Sequence, residues 1–177
     1  MKVILKAALV AMGIVLASAC SSVTIEQYAY NKPQLVAEKY FNGQLTAYGI
    51  VKDRGGQVIR YFSAKIKADW VDGIGTLDES FVFDDGERQT RVWKLQPNAD
   101  GTYVATAGDV IGEGKMKVAG NSLFLDYVLR IPYGDDTIDL RIDDRMYLIS
   151  EKVLLNESVM TKWGLKVGQI TLVIEKE

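Results

Sequence analysis

The 177-residue chain has no histidine, one cysteine and three prolines. Without histidine there is no His-based triad, no imidazole general base, no histidine haem ligand and no His-built zinc site. With Cys20 alone there is no disulfide within the chain and no cysteine cluster to hold a metal. No apolar run reaches the roughly 20 residues that a membrane-spanning helix needs. No basic run or stripe marks a nucleic-acid partner. What remains is ordinary: 48% hydrophobic and 25% charged residues exclude disorder as a description of the whole. The length suits one domain with a sizeable core.

The first 19 residues read as a targeting segment. Lys2 and Lys6 give a positive start, Ala7 to Leu16 a short apolar stretch, and Ala17-Ser18-Ala19 the small residues expected before a cleavage point. The segment resembles a bacterial lipoprotein signal. That resemblance implies cleavage before Cys20, which then carries fatty-acyl chains of the palmitate type on its thiol and amino group. The alternative is a plain secretory signal followed by a chance cysteine. Acyl chains contribute about 0.8 kcal/mol per buried CH₂, so three of them anchor firmly. Ser21 and Ser22, with no Asp after the cysteine, imply by the family's sorting rule a place in the cell envelope, at the outer membrane facing the periplasm. Loss of Lys2 and Lys6 moves the formal net charge from −2 to −4. Anionic head groups then mildly repel the chain, and the lipid must do the attaching. Residues 20–34 read as a polar tether.

Residues 35–177 read as a single all-β domain. Leu35–Phe41 fits a short N-terminal helical turn, stopped by Asn42-Gly43. Beyond it, alternating runs are separated by Gly, Asp and Asn. They are Gln44–Lys52, Gln57–Val71, Gly75–Phe83, Glu87–Gln96, Thr102–Ile111, Glu113–Ala119, Ser122–Tyr133, Thr137–Ser150, Val153–Trp163 and Gln169–Glu175. About ten meandering strands predict an up-and-down antiparallel β-barrel of the calycin or lipocalin kind, because closure removes both exposed edges. Phe62, Ala64, Ile66, Ala68 and Trp70 share one face of the second strand, and charged residues share the other.

Two carboxylates break the apolar faces. Asp144 lies between Ile142 and Met146 on the inward row of its strand, and Glu79 lies between Leu77 and Phe81. Each is costly inside unless paired or hydrogen-bonded. A three-residue loop at Asp84-Asp85-Gly86, with Gly86 left-handed, sets Glu79 opposite Arg91 and Leu77 opposite Trp93. This predicts a Glu79–Arg91 ion pair inside the barrel. One reading of the interior charges is a polar network that fixes register. Another is a clasp for a ligand head group, built from Arg91 with Tyr127 as a hydroxyl donor, while the tail lies on aromatics. A third is an acid/base pair of Glu79 and Asp144, which nothing in their spacing supports. Ser80 and Ser158 have no histidine to activate them, and Asp84, Asp85 and Glu87 lack the form of a calcium loop. No catalytic residue, metal ligand or cofactor is expected. Trp70, Trp93 and Trp163 read as core aromatics by default.

Several stretches carry a family resemblance: Tyr40-Phe41-Asn42-Gly43, Asp85-Gly86-Glu87 with Arg91 and Trp93, Gly108-Asp109-Val110, Gly120-Asn121 with Tyr127, Asp143-Asp144 with Met146-Tyr147, and Lys162 with Gly164. Together they resemble a bacterial lipoprotein family classed as a domain of unknown function, with a lipocalin-like barrel. Arg145 stands where that pattern has an aromatic. The resemblance implies gene neighbourhoods rich in lipid-modifying enzymes. The expected function is therefore a non-enzymatic envelope lipoprotein, anchored through Cys20 to the membrane and binding an apolar or fatty-acyl ligand. Glu79, Arg91, Trp93, Tyr127 and Asp144 are the candidate contacts. The alternative is an interaction module whose barrel is packed solid by Phe62, Trp70, Phe81, Phe83 and Trp93. A lumenal cavity of roughly 300 Å³ or more would favour the first.

Overall fold

The computed structural model describes residues 22–177; the leader and Cys20 lie outside the described residues. Ten strands follow one another: β1 (Gly43–Asp53), β2 (Val58–Val71), β3 (Ile74–Phe83), β4 (Arg88–Pro97), β5 (Tyr103–Thr106), β6 (Gly114–Ala119), β7 (Ser122–Tyr133), β8 (Asp136–Leu148), β9 (Val153–Lys162) and β10 (Leu165–Lys176). Each pairs antiparallel with its sequence neighbours, and β1 also pairs with β10, Leu45 opposite Lys176. The sheet is thus a closed, up-and-down, lipocalin-like barrel without a free edge.

The two-residue period sorts side chains between lumen and water. In β2, Phe62, Ala64, Ile66 and Ala68 are buried while Lys65, Lys67 and Asp69 are exposed. The outer wall of β7 and β8 carries Asp126, Arg141, Asp143 and Arg145, joined as Arg141–Asp126 and Arg145–Asp143 pairs. Inside, small residues make room for large ones. A Cβ at Gly49 on β1 would overlap the Phe62 ring, so glycine there lets that ring lie across the wall.

One end of the barrel is plugged. A short helix, α1 (Ala37–Tyr40), and its flanks touch strands all around that rim. The Tyr40 hydroxyl donates to the carbonyl oxygens of Ile174 at 2.8 Å and Lys152 at 3.2 Å. The Trp70 indole donates to the Phe41 carbonyl at 2.8 Å, and Tyr103 donates to Glu38 at 2.6 Å. Leu35, Ala37, Tyr40 and Phe41 are buried beneath this ring of contacts. Burial drives the Tyr40 phenol well above its usual range, so it stays a donor.

Four local expectations need correction. Residues 22–34 do not hang free as a tether. A 3₁₀ turn at Ile25–Tyr28 buries Ile25 and sets the Tyr28 ring against Phe124 and Tyr147 on the outer wall, centroids 5.7 and 5.5 Å apart. The helical turn is shorter than Leu35–Phe41. The fifth strand ends at Thr106, because the following loop is bound to β7 by hydrogen bonds from Ile111 N to Val128 O and from Arg130 N to Asp109 O, each 2.8 Å. Trp163 is not core: it occupies the β9–β10 turn with φ 50° and is 89% exposed.

Gly120 joins the 3₁₀ turn to the barrel. Its φ is 55°, and a Cβ there would overlap the Tyr28 carbonyl oxygen. Gly120→Ala is expected to destabilise by more than about 1 kcal/mol. Gly108→Ala, at a site with nothing within 4 Å of the added carbon, should stay within about 0.5 kcal/mol. Urea unfolding of the two variants checks the contrast.

Candidate functional site

The site begins in the β3–β4 hairpin. Gly86 has φ 84°, and the Phe83 N–H donates to the Glu87 carbonyl at 3.0 Å. The three-residue loop therefore forms, and the register follows it: Phe81 opposite Gln89, Glu79 opposite Arg91, Leu77 opposite Trp93. Trp93 and Leu95 are buried, as this count requires; a loop one residue shorter would turn them to water. Glu79 and Arg91 both face the lumen.

The expected Glu79–Arg91 ion pair is not what holds the guanidinium. Arg91 donates from Nε and Nη2 to both oxygens of Asp109, at 2.7 to 3.1 Å. Asp109 comes from the β5–β6 loop, which brings its carboxylate edge-on to the guanidinium fork, the geometry that gives two strong bonds at once. Glu79 feels the Arg91 charge from across the strand pair, and the Trp93 side chain adds a weaker contact that also favours its charged form. Glu79 keeps some accessible surface because that surface borders the lumen's free space.

Asp144 points inward and is 6% exposed. The β8–β9 register sets it opposite Ser158, with Asn156 opposite Met146. The Ser158 hydroxyl donates to Asp144 Oδ1 at 2.7 Å, and the Asn156 amide donates to the same oxygen. Oδ2 receives no hydrogen bond among the described residues. Asn156 and Ser158 are site residues that sequence reasoning missed. Both sit on the inward row of β9, and counting back across the Ile149–Lys152 turn would have found them.

These groups ring a cavity of about 130 Å³. Its apolar wall includes Ala47, Phe62, Ala64, Leu77, Met116, Leu125 and Leu172. Trp93 and Tyr127 pack edge to face on its wall, centroids 5.2 Å apart. All five expected contacts, Glu79, Arg91, Trp93, Tyr127 and Asp144, line this one space. It is neither solidly filled nor as large as 300 Å³; an apolar cavity of about 150 Å³ takes a ligand the size of benzene.

Burial raises Glu79 to about 7, and the Arg91 charge limits the rise. Burial raises Asp144 to about 6, opposed by the hydrogen bonds from Asn156 and Ser158. Tyr127 is pushed up by burial and by the Asp144 charge, so it remains a neutral hydroxyl. Burial works against charge on Arg91, but Asp109, Tyr127 and Glu79 together hold it above its usual range.

In the unfolded chain both lumenal carboxyls titrate near about 4. The folded barrel binds their protons more tightly, so the stability they contribute is present at low pH and is lost as pH rises from about 4 to about 7. The double variant Glu79→Gln/Asp144→Asn should gain several kcal/mol, on the order of 5, relative to wild type between pH 4 and pH 8. Urea unfolding across that range measures the difference.

Comparison with known proteins gives the fold company. An S-type phycobiliprotein lyase, CPES, from Guillardia theta superposes with a TM-score of 0.57 at 9% identity, over 88% of this chain and 99% of that one. The odorant-binding protein OBP1 matches with a TM-score of 0.40 at 14% identity, over 82% of this chain and 77% of that one. At such identity the lyase shares the barrel fold and nothing finer. No curated protein matches the sequence. A family model covers residues 14–176, nearly the whole chain, and the protein belongs to that family, whose description is "Protein of unknown function (DUF3833)".

Proposed function

We propose that this protein is an envelope lipoprotein that holds a small apolar ligand, or one end of a fatty-acyl chain, inside its barrel. The observation that supports the reading is the lumenal cavity: apolar along most of its wall, with its polar groups drawn from five different strands. A barrel selected only for rigidity gains nothing from unfilled space, since each missing contact costs dispersion and transfer energy. The volume sets the scale. About 130 Å³ takes a short chain or a single ring, so a longer acyl chain would leave its remainder outside the cavity.

The barrel end opposite the α1 plug is the natural entrance. Hairpin turns rim it, and the loop carrying Asp109 lies across one side. The protein acts here as a holder, without chemistry of its own. Its attachment would come from Cys20, three residues before Val23, whose carbonyl accepts a hydrogen bond from Arg145 on β8. An acyl group at residue 20 would thus keep the barrel wall close to the bilayer surface.

Two measurements test this reading. Protein purified from its own host and examined by native mass spectrometry should carry an apolar small molecule at near-stoichiometric level. Ala64→Leu, which pushes a bulkier side chain into the lumen, should reduce that occupancy; an empty wild-type barrel would favour the interaction module instead. Growth with labelled palmitate should label the wild type, while Cys20→Ala stays unlabelled and leaves the membrane fraction. Label retained by the variant would refute lipidation at that residue.

A further inference from the structure

The lumen's charges do not suit the head group that a fatty-acid binder would hold. Among the described residues that line the cavity Arg91 is the cation, and Asp109 already occupies the Nε–Nη2 edge of its guanidinium and balances its charge. Around it stand Glu79 from β3, which has a weak contact with the Trp93 side chain, and Asp144 from β8, whose Oδ2 accepts nothing among the described residues. Tyr127 from β7 adds a neutral hydroxyl, and β9 adds neutral Asn156 and Ser158. The segments of β1, β2 and β10 that line this space contribute apolar side chains such as Ala47, Phe62 and Leu172. With every carboxyl ionised, three negative groups share one positive one. A bound carboxylate would be a fourth anion in a low-dielectric space.

The aromatic pair points the same way. Trp93 and Tyr127 stand edge to face beside the carboxylates, so π surface and negative charge border the same cavity. That combination attracts ammonium and other N–H-rich cations, through charge-assisted hydrogen bonds and through the ring quadrupole.

We infer that the ligand is an amphiphile with a cationic, hydrogen-bond-donating head, an alkylamine in chemical class, with its ammonium between Glu79 and Asp144 and its chain on the apolar wall. This rests on the lumenal-binding reading above and narrows it. The raised carboxyls give the site a pH response of definite sign. Glu79 near 7 and Asp144 near 6 are largely ionised at pH 8 and largely protonated at pH 5, so an amine is held at the higher pH and released at the lower.

The test uses three probes with the same eight-carbon chain: octylammonium, octanol and octanoate, titrated by calorimetry into the protein at pH 8 and pH 5. Octylammonium should bind about tenfold or more tighter than octanol at pH 8, with octanoate weakest, and should lose that advantage at pH 5. Glu79→Gln and Asp144→Asn, close to isosteric, should each cut the advantage of octylammonium over octanol at pH 8; circular dichroism confirms that both fold. If octanoate or octanol binds as tightly as octylammonium, lumenal binding stands and the cation preference is wrong. An ammonium advantage that survives both substitutions would overturn the cation preference as well. If none of the three binds, the lumenal-binding reading falls and this inference falls with it.

Discussion

Asp109 chelating Arg91 is the interaction on which the character of the lumen depends. A barrel of inward-facing alternate residues is driven together by apolar burial, and charges inside it must be compensated locally. Arg91 alone would make the lumen a receptor for anions. With its Nε–Nη2 edge bound at 2.7 to 3.1 Å by a carboxylate from the β5–β6 loop, its charge is balanced within the protein. Glu79 and Asp144 then become the groups whose charge a ligand must answer.

The same contact explains a feature of the fold. Residues 107–112 would have extended β5 had they stayed in the sheet. Instead Val110 makes an isolated bridge to Leu129, and the loop crosses toward β4 and β7. Interrupting a ladder loses backbone pairing, which the hydrogen bonds to Val128 and Arg130 partly restore. The opposite end has a different solution. There α1 and its flanks close the rim through Tyr40, Trp70 and Tyr103, leaving an enclosed floor to the lumen. One end is sealed by aromatic donors and the other is partly shielded by an ion pair.

Much of this was legible in the sequence because strand physics is local. The alternation of Phe62, Ala64, Ile66 and Ala68 announced the inward face, and Gly86 with its two aspartates gave the register that brings Glu79 opposite Arg91. Asp144 was conspicuous as a charge on an apolar row. Two of the misses are contacts whose sequence separation no turn rule spans. Asp109 lies 18 residues from Arg91, in a stretch whose composition reads as strand. The Tyr28–Phe124 contact joins residues far apart in the chain, so the 3₁₀ turn looked like a tether. Trp163 was assigned inward from its residue type, although it sits in a tight turn. Cavity volume is a sum over the whole barrel wall, and no single strand's pattern encodes it.

The central claim, that a ligand sits among Glu79, Trp93, Tyr127 and Asp144 within the barrel, is tested most directly by nuclear Overhauser contacts between octylammonium and the assigned protein. The account predicts contacts from the head-group methylene to the Trp93 and Tyr127 ring protons, and from the chain to the Leu77, Met116 and Leu125 methyls. Contacts confined to outer-wall residues such as Tyr48 and Tyr61, with none to Trp93 or Tyr127, would contradict it.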